Sequence, residues 1–401
     1  MLDICLIQLP NPALAHTMYN SLGIMYLASV VEQAGYSVEI ADLRHNGGLP
    51  RAHYYGFSCT TPEITYAKEL AKQVRGKTIV GGAHPSLLPE DCWNDFDYIV
   101  IGEGEEVILD ILSGKITSPK GIVASRIRDL DKIPYPARNK VKFPYSDMIF
   151  EGERYGHGAM TGTLIATRGC PFSCHYCANI FRYITSRSVE NIIGEMKLMM
   201  ADGVTHFKFM DDCFTLHHEF ERLTQEMKKL NISYIAHTRA DLMTPKIALS
   251  LKESGCYQSG LGVETADDTV LKLNNKKETV EDSVRAIRTL KEAGIHVKPY
   301  WMTGLPGETD KTIERNKEFM ITTQPNKWTV STFTPYPGSA IFKRPEDFGI
   351  EIVNKDWTKW WNYCENQYNH ILIGQTKEEM WKRYNEFYGF LRSEVWKQEA
   401  H

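Results

Sequence analysis

Short apolar runs and amphipathic stretches alternate along most of the chain. Up to residue 112, apolar runs at Ile4–Leu9, Ser37–Ala41, Tyr54–Ser58, Thr78–Val80 and Tyr98–Ile101 read as strands. Helical periodicity marks residues 21–34 and 64–74. Strand and helix in alternation predict a parallel sheet covered on both faces, a Rossmann-like doubly wound α/β domain. Ligands of such sheets sit at the C-terminal strand ends. Here those ends carry the loops Leu9–Asn20, Ser58–Pro62, Gly81–Pro85 and Gly102–Glu105. Only LRHNGGLPRAH separates Asp42 from Tyr54, so the domain is trimmed by one helix.

A Pro- and aromatic-rich stretch from Ile127 to about Gly158 reads as irregular linker. Alternation then resumes. Strands are expected at Thr163–Thr167, His206–Met210, Tyr234–Thr238, Gln258–Gly262, His296–Met302 and Lys327–Thr334, with helices at 189–201, 218–230, 245–254, 280–293 and 309–322. Six such units in a row predict a partial (βα)6 barrel of TIM type, with chemistry at the C-terminal strand ends. An aromatic tail from Trp357 to Trp396 reads as a helical covering layer. The expected organisation is a first domain over 1–115, a linker over 116–160, the barrel over 161–340 and a C-terminal helical region over 341–401.

Composition narrows the classes. At 401 residues, 42% hydrophobic and 24% charged, the chain is long enough for two packed domains and is ordinary for a globular protein. A net charge of −4 lacks the basic footprint of a nucleic-acid binder, which disfavours a nucleic acid substrate. No apolar run approaches the roughly 20 residues that span a bilayer, and MLDICLIQLP is too short and too polar for a signal-peptide core. A cytoplasmic location is expected. The nine cysteines then point to metal or buried thiols instead of disulfides.

Three of them carry the candidate chemistry. Cys170, Cys174 and Cys177 stand in TRGCPFSCHYCA with three residues and then two between them. Thiolates at such spacing can wrap a 4Fe-4S cubane, whose full set is four, so one iron would be left open. Zinc is the alternative, and would need a fourth ligand at short spacing, for which only His175 is at hand.

TRGCPFSCHYCA as a whole resembles the cluster loop of radical S-adenosylmethionine (SAM) enzymes, with Tyr176 at the usual aromatic place. The resemblance implies a 4Fe-4S cluster on Cys170, Cys174 and Cys177, with SAM on the open iron and cleaved there to a 5′-deoxyadenosyl radical. It also implies SAM contacts at later strand ends. Asp211 and Asp212 match the segment meeting the SAM amino group, and Arg239 would clamp a carboxylate. Glu264 lies in the segment expected at the ribose, and Gly304 and Gly307 lie in the adenine-side motif GLPGE. Cys213 is the candidate catalytic residue, a hydrogen donor to a substrate radical. An electron donor such as flavodoxin or ferredoxin is the implied partner.

The first domain is similar to the cobalamin-binding domain that precedes the barrel in one large subfamily. Four segments carry this likeness: SLGIMYLASVVEQAGYSVEIAD, YYGFSCTTPEITYAKELA, IVGGAHPSLLPED and YIVIGEGEEVILDIL. It implies cobalamin contacts from Ser58, Thr60, Thr61, Gly81, Gly82, His84, Gly102, Glu103 and Gly104. The Asp-x-His-x-x-Gly motif that coordinates cobalt in other cobalamin domains is absent, and His16 does not fit it.

The leading expectation is a cobalamin-dependent radical SAM methyltransferase acting on an unactivated carbon of a small molecule or natural-product precursor. The alternatives are a radical SAM epimerase, dehydrogenase or ring-forming enzyme with an empty first domain, and a non-catalytic cobalamin- or iron-binding sensor or carrier. Cys5, Cys59, Cys92 and Cys256 read as packed thiols, and Cys364 lies in the aromatic tail.

Overall fold

The computed structural model describes residues 1–11, 20–45, 48–117, 120–145, 148–149, 153–154, 160–361, 368–393 and 395–398. His16, Cys364 and most of the Leu9–Asn20 loop lie outside them. The chain divides into two compact units. One comprises Met1–Thr163, Gly194–Val204 and Asp356–Trp360, and the other Leu164–Ile193, Thr205–Lys355 and Trp361–His401.

In the first unit, β1 (Leu2–Gln8), β2 (Val38–Asp42), β3 (Ala52–Ser58), β4 (Lys77–Gly81), β5 (Tyr98–Ile101) and β6 (Ile122–Val123) form one parallel sheet in the order β2-β1-β3-β4-β5-β6. Along β1, Cys5 and Ile7 join the core on one face while Ile4 and Leu6 join the core on the other. This period of two under a continuous apolar run is what burial on both faces demands. Helices α1 (Leu22–Gln33) and α3 (Gly104–Leu112) cover the Ile4 face, and α2 (Ile64–Ala71) covers the Cys5 face. The Ser21 hydroxyl starts α1 by accepting from the Ile24 N–H at 3.5 Å. Among its described residues, the crossover from β2 to β3 holds a single 3-10 turn, Leu43–His45, so the trimmed helix is a feature of the fold. This strand order puts the switch point beside β1, where the chain leaves Gln8 and Ser58.

The second sheet runs in chain order through β7 (Thr161–Leu164), β8 (His206–Phe209), β9 (Ser233–Thr238), β10 (Cys256–Glu264), β11 (His296–Thr303) and β12 (Thr329–Thr332). The pairs from β8 to β12 are parallel. Between the strands lie α4 (Val189–Ala201), α5 (Phe220–Lys228), α6 (Pro245–Glu253), α7 (Asp268–Leu273), α8 (Val280–Glu292) and α9 (Asp310–Thr323). Sheet order equal to chain order, with helices on the connections, is the partial barrel expected. Its helix-covered face is aromatic. Trp301 of β11 meets Phe319 of α9 and Phe387 of α10 (Lys377–Ser393) edge-on, at 5.3 and 5.2 Å between ring centres.

Three details differ from the sequence expectation. The first barrel strand stops at Leu164, and Thr167–Arg168 pairs instead with Thr185–Ser186 in a separate antiparallel ladder that brackets the cysteine loop. Helix α7 is additional, started by the Asp267 carboxylate accepting from the Thr269 N–H at 3.0 Å. The tail is not helical throughout, since Ile350–Ile352 pairs with His370–Leu372 before α10.

Replacing Trp301, which is fully buried, by Ala is expected to cost about 3–5 kcal/mol through the cavity it leaves. Chemical denaturation of the variant against the wild-type chain measures this.

Candidate active site at the barrel strand ends

The cysteine loop is held by backbone and amide hydrogen bonds on both sides. Gly169 enters it at a φ of +87°, and a Cβ there would run into the carbonyl oxygens of Phe181 and Tyr183, so the turn requires glycine. The Cys170 N–H donates to the Phe181 carbonyl at 3.0 Å, and the Asn179 amide to the Cys170 carbonyl at 3.2 Å. Arg182 donates to the Cys177 carbonyl at 2.8 Å. From the far side comes the turn after α7. The Asn274 carbonyl accepts from the His175 N–H at 2.9 Å, Leu273 O lies 3.1 Å from His175 Nδ1, and the Asn275 amide donates to the Ser173 carbonyl at 2.8 Å. Asn275 adopts a φ of +52°, a conformation asparagine tolerates better than most residues.

These contacts weigh on the zinc alternative. His175 presents Nδ1 to a carbonyl and its ring edge to Phe348. Three thiols with no fourth ligand in the loop fit a cubane with an open iron. Burial raises the thiol pKa of Cys170, and pushes that of Cys177 up to about 11. Iron would have to draw those protons off.

The carboxylates at the strand ends divide by use. Asp211 is buried and accepts from the Ala166 N–H at 3.0 Å and from the Thr167 hydroxyl at 2.7 Å, besides the Thr167 N–H. It ties the end of β8 to the chain entering the cysteine loop, and burial pushes its carboxyl up to about 6. Those N–H groups therefore do not extend β7. Asp212, the next residue, is exposed, and its carboxylate forms no hydrogen bond or ion pair within the described residues.

Arg239 is likewise committed to the chain. Its guanidinium donates to Asp241 at 3.0 Å and to the Lys276 carbonyl at 3.1 Å, pairs with Glu278 at 2.8 Å, and lies 3.6 Å above the ring of Phe172 in the cysteine loop. Lys276 continues the chain of charges, 3.6 Å from Glu278 and 3.5 Å from Glu264. Burial raises the Glu264 carboxyl and pushes that of Glu278 up to about 7. Burial lowers Lys276, but Glu264 and Glu278 outweigh it and hold the ammonium above its ordinary value. Glu264 itself sits at a φ of +67°, beside an irregularity in the β10–β11 pairing, which turns its carboxylate toward Lys276.

Gly304 and Gly307, both at positive φ, belong to a turn closed by Glu308. The Glu308 carboxylate accepts from the Gly304 N–H at 2.9 Å and pairs with Arg383 of α10 at 3.2 Å. His370 Nε2 meets the Gly304 carbonyl at 2.8 Å. Tyr176 packs against the apolar cluster around Leu305 and Tyr368. Cys213 is fully buried with its sulfur 3.4 Å from the Thr215 hydroxyl, and burial pushes its thiol up to about 11. Phe172, Asn275, Lys276 and Glu278 escaped the sequence reading. The consecutive asparagines and lysines of NNKKE were the available signal.

In the first unit, Ser58, Gly81, Gly82 and Gly102 stand half-buried at the ends of β3, β4 and β5. A Cβ at Gly81 or Gly102 would make only ordinary contacts, at 3.7 and 3.6 Å, which leaves a shelf of backbone with few projecting side chains. Gly104 begins α3 beside Leu27. The remaining candidates are engaged within the unit. Thr60 bonds Glu63 at 2.7 Å, Glu103 accepts from the Ile127 N–H at 2.6 Å, and the buried His84 lies 3.2 Å from the Thr61 hydroxyl and 3.0 Å from Asp91. With both ring nitrogens taken, His84 has no lone pair for cobalt, and the shelf fits a corrin held without that histidine.

Comparison with known proteins meets these features. The model of the Radical SAM superfamily matches residues 164–320, and that of the B12 binding domain matches residues 14–112. An uncharacterized methyltransferase of Pyrococcus horikoshii is 26% identical, with 92% of this chain and 87% of the relative aligned. The anaerobic magnesium-protoporphyrin IX monomethyl ester cyclase of Rubrivivax gelatinosus is 28% identical over 76% of this chain, which spans only 60% of that enzyme. A solved structure of the radical SAM methyltransferase TsrM from Kitasatospora setae, with cobalamin and a 4Fe-4S cluster bound, shares the fold with a TM-score of 0.70 at 15% identity, covering 98% of this chain and 89% of that one. The chain combines a B12 binding domain with a radical SAM domain. These domains imply a 4Fe-4S cluster, SAM and cobalamin as its cofactors. No helix among the described residues is long and apolar enough to cross a membrane.

The buried Glu308 gives a pH signature. Its carboxyl is raised from 4.5 to about 7, chiefly by burial, so its contribution to stability is complete below about pH 4.5 and is lost as the pH rises through 7. Over that window the wild-type chain is expected to lose on the order of 2–3 kcal/mol more unfolding free energy than a Glu308→Gln variant. Denaturation curves at pH 5 and pH 8 for both proteins measure the difference.

Proposed function

We propose that this protein is a cobalamin-dependent radical SAM methyltransferase acting on an unactivated carbon of a small molecule or natural-product precursor. The observation that carries the reading is the pinned three-thiol loop with open acceptors beside it, in a chain that also has a B12 binding domain. When bound, cluster and SAM supply a carbon-centred radical and cobalamin supplies the methyl group. The chain's own residues hold and orient. Cys170, Cys174 and Cys177 ligate the cluster, and Arg239, stacked on Phe172, keeps the loop against the strand ends. Asp212 accepts from the SAM ammonium. Glu264, with Lys276 beside it, takes the ribose hydroxyls, and the Gly304–Gly307 turn with Tyr176 forms the adenine side. Ser58, Gly81, Gly82 and Gly102 offer the shelf for the corrin. The reaction needs a one-electron donor such as flavodoxin or ferredoxin, and a cytoplasmic setting suits cysteines that must stay reduced to take up iron.

A ring-forming reaction is the second reading, favoured by the 28% identity to the cyclase. Product mass separates the two, since methyl transfer adds one methyl group whereas ring closure removes hydrogen. Cys174→Ala is expected to abolish 5′-deoxyadenosine formation from SAM in the reduced, reconstituted protein. Undiminished 5′-deoxyadenosine from that variant would sink the cluster assignment, and failure of the wild-type chain to take up cobalamin would sink the methyl-transfer reading.

A further inference from the structure

The segment Asp356–Trp360 lies beyond the barrel in sequence yet is part of the first compact unit. Its 3-10 turn, Trp357–Lys359, is started by the Asp356 carboxylate, which accepts from the Thr358 N–H at 3.1 Å and from the Thr358 hydroxyl at 2.6 Å. The turn packs on α2 and on the Thr61–Glu63 turn before it, and Trp360, fully buried, meets the Trp357 ring edge-on at 4.7 Å between centres. Trp357 is thereby fixed against the core on the Cys5 face. Its ring in turn meets the imidazole of the buried His84 edge-on, at 5.3 Å between centres. None of the steps above uses this contact.

His84 stands where three strand ends are tied together. The Cys59 carbonyl, just past β3, accepts from the His84 N–H at 3.0 Å, and the Cys59 N–H donates at 2.9 Å to the carbonyl of Gly81, the last residue of β4. Gly82, at a φ of +97°, makes this crossing so tight that a Cβ would come within 2.8 Å of the Cys59 nitrogen. Two residues beyond His84, the Ser86 hydroxyl accepts at 3.0 Å from the N–H of Gly102, just past β5. The backbone shelf of Gly81, Gly82 and Gly102 has few side chains of its own to pack, so its shape depends on what holds this turn. The imidazole is held through Thr61 and Asp91, Asp91 is anchored by Lys68 at 2.8 Å, and Trp357 packs against the ring. Two polar partners and one aromatic neighbour leave the ring a single orientation.

We infer that Trp357 is a positioning residue for cobalamin: acting through His84, it holds the backbone of Gly81, Gly82 and Gly102 in the shape that receives the corrin. The physical gain is preorganisation, because a shelf already set in its bound shape loses less conformational freedom when the ligand arrives. Partners that orient a metal's direct ligands are typically worth about 10–100-fold in affinity, and the same scale applies to a residue that orients the backbone under a cofactor. The inference rests on the cobalamin reading of the proposed function and deepens it. The match to the B12 binding domain ends at residue 112, and a tryptophan far beyond it in sequence completes the site.

The test is equilibrium dialysis of the full chain against hydroxocobalamin, at a temperature where denaturation curves show every variant fully folded. Trp357→Ala and His84→Ala should each weaken binding about tenfold, and Trp357→Phe, which keeps an aromatic ring against the imidazole, should stay within about twofold of wild type. The double variant should bind no more than about twofold weaker than His84→Ala alone, because a residue that acts through His84 then has nothing left to act on. Should either Ala variant fail to fold, Trp357→Leu or His84→Leu takes its place. Wild-type affinity in Trp357→Ala, a loss in Trp357→Phe as large as that in Trp357→Ala, or additive losses in the double variant would each overturn the positioning role. So would a shift in the absorption bands of cobalamin bound to His84→Ala, which would mark the imidazole as a cobalt ligand. A wild-type chain that takes up no cobalamin would overturn the proposed function along with the inference, so the two failures are distinguishable.

Discussion

A chain of opposite charges, Asp241–Arg239–Glu278–Lys276–Glu264, buried at its three central members, is the constraint on which the barrel mouth depends. The three central charges are costly to desolvate and are tolerated because each is paired on both sides. Removing one member would strand its neighbours in a low-dielectric site, so the network behaves as a single unit. It crosses from the end of β9 through the turn after α7 to the end of β10. Through Arg239 it also reaches Phe172 within the cysteine loop. The loop that would carry the cluster and the strand ends that would carry SAM are thus set by the same electrostatic condition.

Around this network, neighbouring residues of the same type take opposite tasks. Asp211 and Asp212 are adjacent carboxylates at one strand end, and successive residues of an extended chain face opposite ways. Asp211 faces inward and satisfies backbone donors that would otherwise be buried without partners, which leaves Asp212 as the acceptor open to a ligand. A similar division holds in the B12 binding domain. His84 follows the end of β4, but both of its ring nitrogens are engaged inside the unit, while the neighbouring glycines keep backbone accessible. Chemical type nominates a site residue, and hydrogen-bond accounting decides whether it remains available.

Much of this was legible in the sequence because it follows from local periodicity. The alternation of buried strands and amphipathic helices gave both sheets, since a parallel strand covered on two faces must be apolar throughout and its crossover helix must be apolar on one side. The short crossover before Tyr54 was readable as a missing helix for the same reason, there being too few residues to form one. The spacing of Cys170, Cys174 and Cys177 was legible because one short loop supplies all three ligands.

Partnerships between residues far apart in sequence are set by the folded chain alone. The pairing of Arg239 with Glu278, of Asn275 with Ser173 and of Glu308 with Arg383 joins groups separated by tens of residues, and no periodicity records which loops the fold brings together. Local pattern determines which elements form, because it reflects burial along one element at a time. Charge pairing and desolvation depend on distances across elements, and only the folded chain sets those.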